Sequence, residues 1–542
     1  MENGLPLSAD PWWKQAVIYQ IYPRSFVDAN GDGVGDLSGI ITKLDYLNDG
    51  TTASLGVDAI WLSPFYPSPM ADFGYDVSDY TDIHPLFGTL GDFDRLIAEA
   101  HARDLKVIID WVPNHTSDQH PWFLESRSGT DSAKRDWYVW REPGTDGGPP
   151  NNWKSAFPAV GRAWTFDEAT EQWYLHSFMA EQPDLNWENP EVQEAMFETL
   201  RFWLSRGVDG FRIDVAHKIG KDPELADNPP DIDEARAEGA ARRHDEDWPS
   251  VHDRIRLIRK VLEEHEDAMA VGEVYILDQE RLVQYVNSAD ELHLAHNFVF
   301  VHQPWKAQSF RHVISQWHEL ATDEAWPAWF LNNHDSSRVA TRFDDGGHGP
   351  ARARVAGMLT LTLRGTPFLY QGEELGLPDV RVPSERIVDV DGRDPQRAPF
   401  PWEPPSQSNP ASGFSDGEPW LPMTPDAENV NARRQSDDER SMLSFYRRLI
   451  RVRRDNAALH VGDMRLIDAP DDVLAYLRES RGGRFLVALN YGSAPITFDA
   501  EGAAGAATGS LLLSTDFDRA GRQVALGSLE LRGDEGVLLE LA

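Results

Sequence analysis

Four short stretches of this chain each run an apolar, β-branched segment straight into a carboxylate: VIIDWVPNH at Asp110, GFRIDVAH at Asp214, AVGEV at Glu273 and WFLNNHD at Asp335. Carboxylates gathered in one place can divide their labour, an ionised one attacking or stabilising positive charge while a protonated one donates. A lone Asp after a strand is commonly a turn or helix-cap residue. Four in succession, with Arg212, His334 or His115 beside three of them, read instead as a single acidic pocket.

The segments that carry them must be strands of one sheet. A parallel strand buried on both faces reads as a continuous apolar run, and in (β/α) barrels the residue after such a strand sits at the mouth. Eight such segments follow in order, at 16–22, 57–64, 105–113, 208–215, 268–275, 291–300, 327–335 and 366–375. Helical patterns separate them, among them Phe93–Arg103, Val192–Arg206, Val251–Glu264 and Ala351–Leu363. The alternation predicts an α/β fold, a (β/α)8 TIM barrel. Its first part spans 8–115 and its second 188–459. The Trp-, Pro- and Gly-rich stretch 116–187 is too long for a loop and predicts a small inserted domain after the third strand. A Pro- and Asp-rich excursion over 378–428 is expected to cover the barrel mouth. From 460 to 542 short alternating strands predict a C-terminal antiparallel β-sandwich domain.

Composition narrows the partners. The 542 residues contain no cysteine, which excludes disulfides and thiolate metal sites. The N-terminus MENGLPLSADPWWKQ has neither a basic nor an apolar signal region, and no apolar run reaches the ~18 residues of a membrane span. A soluble cytoplasmic protein is expected, as a monomer or small homo-oligomer. The net charge of −38 repels nucleic acid and anionic membranes, so neither is an expected partner. The 19 Trp and 14 Tyr suit sugars, whose C–H faces and hydroxyl rims match amphipathic rings.

The loop from Asp28 to Asp36 (DANGDGVGD) spaces oxygen donors two residues apart, as hard-cation loops do. It is not an EF-hand, because Gly39 stands where that motif needs a bidentate Glu.

Taken together, DWVPNH (110–115), GFRIDVAH (210–217), GEV (272–274) and NHD (333–335) resemble the characteristic motifs of the α-amylase family of glycoside hydrolases, and QPDLN (182–186) resembles that family's additional motif. The N-terminal YQIYPRSFVDANGDGVGDLSGI and the block FGYDVSDY are similar to its α-glucosidase and oligo-1,6-glucosidase branch. The resemblance implies a retaining mechanism with Asp214 as nucleophile, Glu273 as acid/base and Asp335 as the third carboxylate, gripping sugar hydroxyls. Arg212, two residues before Asp214 on the same strand face, is expected to lower its pKa. Glu273 is expected in a drier, more acidic setting. His115 and His334 match the family's sugar-binding histidines. Asp72, Tyr75 and Arg397 resemble residues that hold the terminal glucose, with Arg393 a rival for the arginine role, and Phe178 is expected to stack nearby. Asp110 and Asn114 match positions on the pocket floor.

The resemblance also implies a structural Ca2+ on Asp28, Asn30, Asp32, Asp36 and the carbonyl of Val34, and no organic cofactor. Val215, after the nucleophile, is similar to enzymes that cleave α-1,6 bonds. Two features depart from that branch, the pair Ala216–His217 and an apparent insertion at Asp49–Ser54. The expected activity is exo-acting hydrolysis of short oligosaccharides, α-1,6 or broad in linkage. The alternative is a transglycosidase acting on sucrose or maltose, since the same covalent intermediate serves both.

Overall fold

The computed structural model describes residues 10–229 and 243–541; residues 8–9, 230–242 and 542 of the expected spans lie outside the described residues. The barrel begins with three parallel strands, β1 (Ile18–Ile21), β2 (Ala59–Leu62) and β3 (Lys106–Trp111). A small antiparallel sheet of β4 (Trp140–Arg141), β5 (Trp164–Asp167) and β6 (Gln172–Leu175) follows. The barrel then resumes through β7 (Gly210–Ile213), β8 (Met269–Gly272), β9 (Leu294–Ala295), β10 (Ala328–Trp329) and β11 (Thr366–Tyr370). The ladder runs β10-β11-β1-β2-β3-β7-β8-β9, and one parallel bridge, His296 to Ala328, joins its two ends. An eight-stranded parallel barrel is the result.

Helices cover the barrel's outside for readable reasons. Leu90–His101 starts at a Thr89–Asp92 capping box and buries Phe93, Leu96, Ile97 and Ala100, the i, i+3, i+4, i+7 stripe of an amphipathic helix. Pro190–Ser205 starts at Asn189, whose side chain accepts from the Glu191 amide, with Pro190 in the first turn.

Two strand expectations shrink. The stretch 291–300 forms a strand only at Leu294–Ala295, with the single bridge at His296, after which Asn297 caps a helical turn over Phe298–Val301. The stretch 327–335 pairs only at Ala328–Trp329. Both segments are apolar and buried, and an apolar run does not by itself distinguish strand from buried helix or turn.

The C-terminal region forms β12 (Asp463–Ile467), β13 (Val473–Ser480), β14 (Gly483–Asn490), β15 (Ile496–Phe498), β16 (Thr508–Ser514), β17 (Gln523–Ala525), β18 (Leu529–Leu531) and β19 (Gly536–Leu541). Six make one antiparallel sheet, and β15 pairs with β18. Along β13 the pleat splits the side chains: Leu474 and Tyr476 join the barrel's core, while Val473, Ala475 and Leu477 pack with Phe498, Leu529 and Leu531 of the β15–β18 pair. The sheet is therefore covered on both faces. Among the described residues no helix is long and apolar enough to cross a membrane.

Candidate active site

The C-terminal ends of the barrel strands meet at a cavity of about 760 Å³ whose wall includes Asp72, Tyr75, Asp214, Glu273, Asp335 and Arg393. His115, Phe178 and Val215 also reach it. Arg212, His334 and Arg397 are on its supporting side, each at most 1 % exposed.

Arg212 organises the floor. From β7 its Nη1 donates to Asp110 Oδ1 at 2.5 Å and Asp214 Oδ1 at 2.7 Å, while Nη2 lies 2.7 Å from Glu273 Oε2. Asp110 also accepts from Trp61 Nε1 at 3.0 Å. Three carboxylates thus share one buried cation. Sequence reasoning expected Arg212 to depress Asp214. Burial instead raises the Asp214 carboxyl well above its usual range; Arg212 opposes this, but Glu273 and Asp110 add to the rise. One guanidinium shared among three carboxylates does not offset the burial of Asp214. Asp214 and Glu273 hang side by side on that guanidinium.

The turn after Asp214 carries a second feature. Val215 has φ +35°, a conformation β-branched residues rarely take. It aims the Val215 N–H at Glu273 Oε2, 3.0 Å away, so local strain sits where it positions a carboxylate of the cavity wall.

Asp335 occupies the opposite, cationic side. It lies 3.0 Å from His334 Nε2, 3.1 Å from Arg393 Nη1 and 2.8 Å from Arg397 Nη2. Burial pushes its carboxyl up, but His334, Arg393 and Arg397 together outweigh this and hold it well below the usual range. Gln20 donates to His334 Nδ1 at 2.7 Å, which leaves the Nε2 proton facing Asp335. Tyr75 stacks on His334 with centroids 5.5 Å apart, and its hydroxyl lies 2.7 Å from His334 Nε2.

The expected partner of Asp72 changes. Arg393, not Arg397, reaches it at 2.6 Å, and also contacts Asp389 at 2.6 Å. Arg397 is sealed behind, donating to the His334 carbonyl at 2.9 Å and to Asp335. The two arginines are four residues apart on a tight turn, and their spacing alone does not say which faces the cavity.

His115 is held by its neighbours: Asn114 donates to Nδ1 at 3.1 Å and Nε2 donates to the Tyr75 carbonyl at 3.2 Å. Burial holds its pKa down at about 4, so the ring is neutral. Phe178 packs on it at 5.3 Å. Gln182, read only as part of QPDLN, donates to Asp72 Oδ2 at 3.0 Å.

Sequence reading missed Lys221. Its ammonium bonds Asn114 Oδ1 at 2.7 Å and Asp184 Oδ2 at 3.0 Å, tying the segment after β7 to the end of β3 and to QPDLN. Its partners lie 107 and 37 positions away, so no local spacing announces it.

The Asp28–Asp36 loop folds as successive Asx turns. Asp28 Oδ1 accepts from Asn30 and Gly31 amides and its Oδ2 from Gly33 and Ser415, Asn30 accepts from Asp32, and Asp32 from Val34. Asp36 caps the helix Leu37–Thr42. The donor atoms are hard oxygens suited to Ca2+, yet among the described residues no group of three or more carboxylate or imidazole side chains converges to hold a metal ion.

Residues 20–462 match the catalytic domain of α-amylase. The chain belongs to the α-amylase family. Within that family it is 39 % identical over 522 residues to an oligo-1,6-glucosidase of Parageobacillus thermoglucosidasius, covering 89 % of this chain and 90 % of the relative. It is 43 % identical over 492 residues to a probable α-glucosidase of Rhizobium meliloti, covering 86 % and 87 %. Among solved structures, the α-glucosyl transfer enzyme XgtA superposes with TM-score 0.89 at 40 % identity, over 98 % of this chain and 100 % of that one. The trehalulose synthase MutB from Pseudomonas mesoacidophila MX-45 does so with TM-score 0.90 at 35 % identity, over 98 % and 100 %. As an α-amylase family member the protein is a glycoside hydrolase by relationship.

Proposed function

We propose that this α-amylase family protein is a retaining, exo-acting α-glucosidase that releases terminal glucose from short oligosaccharides, with α-1,6 linkages favoured or a broad range accepted. One observation carries the reading: Asp214 and Glu273 sit side by side on the Arg212 guanidinium, at 2.7 Å each. In the first step Asp214 attacks the anomeric carbon while Glu273 gives its proton to the departing oxygen, and a glucosyl ester forms. In the second, Glu273 takes a proton from water, whose oxygen displaces Asp214 and regenerates both groups. Asp335, kept ionised by its cationic neighbours, stabilises the oxocarbenium-like charge that develops in the transition state of each step. The Asp72–Arg393 pair closes the end of the cavity where the glucose 4-hydroxyl would lie, which makes the action exo. Val215 stands on the wall beside the scissile bond, where its branched side chain would favour the 1,6 geometry. Ca2+, if carried by the Asp28–Asp36 loop, would serve the fold and take no part in bond cleavage.

The relatives XgtA and MutB support a second reading, transfer of the same glucosyl group to a sugar hydroxyl instead of water. Glucose release from isomaltose and maltose, with product chromatography, separates the two. Hydrolysis predicts free glucose, faster from isomaltose, and Asp214→Asn slowing turnover by about 10⁴-fold or more. Near-normal rates in that variant would remove the nucleophile assignment; new disaccharides in place of glucose would select transfer.

A further inference from the structure

The catalytic carboxylates occupy only one part of the cavity wall. Beyond Glu273, on the side where the departing group must lie, two contrasting surfaces face the opening. One is aromatic: Tyr275 and Phe298, with centroids 4.7 Å apart. An aromatic face accepts any flat apolar surface, whether sugar or aryl, so it discriminates little.

The other surface is ionic. Lys218 and Glu246 line the cavity with their charged groups 2.8 Å apart, and each side chain is less than a tenth exposed. His217 connects this pair to the reacting centre: its Nδ1 lies 3.4 Å from the Glu273 carbonyl and its Nε2 lies 3.9 Å from Glu246. The backbone carrying Glu246 is fixed. Asp247 donates its N–H to the His217 carbonyl at 2.7 Å, Trp248 donates to the Gly220 carbonyl at 3.1 Å, and the Asp247 side chain binds Arg281 and Tyr285. A rigid ion pair on a binding wall holds its charges in place before any ligand arrives.

We infer that the Lys218–Glu246 pair recognises the leaving group, selecting a neutral, polyhydroxylated aglycone through an acceptor and a donor set side by side for adjacent hydroxyls. Charge decides against an anionic aglycone: six carboxylates line the cavity against four cations, and of those cations Lys218 lies 2.8 Å and Arg243 3.9 Å from Glu246. Charge-assisted hydrogen bonds to hydroxyls are the stronger kind. A site built to hydrogen-bond hydroxyls also rejects ligands that lack them, because its buried polar groups are then left unpaired. The inference rests on the glucosidase reading, since it takes Glu273 as the group that protonates the leaving oxygen.

The experiment compares kcat/KM for isomaltose, maltose and p-nitrophenyl α-glucoside in the wild type and in Glu246→Gln and Lys218→Met, with a thermal melt of each. Both variants should lower the ratio of disaccharide to aryl-glucoside kcat/KM by about 10-fold or more, the loss of one hydrogen bond to a charged group. Equal losses on all three substrates, or none, would overturn the proposal. In the wild type alone, methyl α-glucoside should be a much poorer substrate than isomaltose, and equal kcat/KM for the two would also overturn it. A higher kcat/KM for a phosphorylated disaccharide than for isomaltose would overturn the choice of a neutral aglycone. Failure of the wild type to cleave any of these glucosides would instead strike the glucosidase reading.

Discussion

Six carboxylates at the site share three guanidinium groups. Arg212 holds Asp110, Asp214 and Glu273, whereas Arg393 and Arg397 share Asp335 and Asp389, and Arg393 alone takes Asp72. The division gives the two halves of the site opposite proton affinities. Asp214 is pushed up where three carboxylates share one cation, and Asp335 is pulled down where His334 and two guanidiniums converge on it. Arg393 is the arginine that reaches the cavity, so Arg393→Ala should lower kcat/KM on disaccharides by about 100-fold, the value of a lost charge-assisted contact. Arg397→Ala should instead lower the melting temperature, because it withdraws a fully buried cation from Asp335 and Asp389. Steady-state kinetics beside thermal melts of both variants decide this, and an Arg393→Ala enzyme with wild-type kcat/KM would sink the assignment. At this scale the carboxylates were legible because each ends an apolar strand segment. The choice between Arg393 and Arg397 was not, since a four-residue spacing on a tight turn carries no facing information.

Elements were readable where a regular period exists and unreadable where it lapses. The helix Leu90–His101 announces itself through its capping box and buried stripe, and β1 to β3 through unbroken apolar runs. The barrel's closing strands β9 and β10 contribute two residues each, too few for a period to register. The link between elements escaped as well. Lys221 fixes the Asn114 amide by holding its oxygen, so the Asn114 NH2 group donates to His115 Nδ1 and to Asp184. The proton of His115 is thereby directed to the Tyr75 carbonyl. Replacing Lys221 with Met would strand Asp184, which is fully buried, and breaking such a pair costs about 3–5 kcal/mol. The variant should melt several degrees lower and lose activity through a misoriented His115. Unaltered melting and kinetics would show that the ammonium does no positioning.

The response of the whole molecule to pH follows from buried groups scattered through the fold, most of them outside the site. Burial holds His115 and His120 down at about 4 and His293 at about 3. Each stays neutral in the fold while the unfolded chain takes up protons near its ordinary value of ~6.5. Their contribution is complete above that value and is lost as pH falls towards the folded values. Glu373 acts in the opposite sense. Burial raises it to about 7, against the pull of hydrogen bonds from Tyr446 and Asn332. Its protonated form therefore stabilises the fold fully below an ordinary ~4.5, and that stability is lost as pH rises through 7. The depressed histidines, His460 at about 4 among them, outweigh Glu373 between pH 4.5 and 6.5, so stability rises over that interval. Above it the carboxyls that burial raises, Glu373 foremost with Asp214 and Glu374, oppose the trend, and stability declines towards pH 7. The melting temperature at fixed ionic strength should thus peak near pH 6.5. Glu373→Gln reduces the descending limb: relative to wild type, the variant should gain up to about 3 kcal/mol between pH 4.5 and 7.5. A gap between the two proteins that stays flat across this range would mean that Glu373 carries no proton in the folded state.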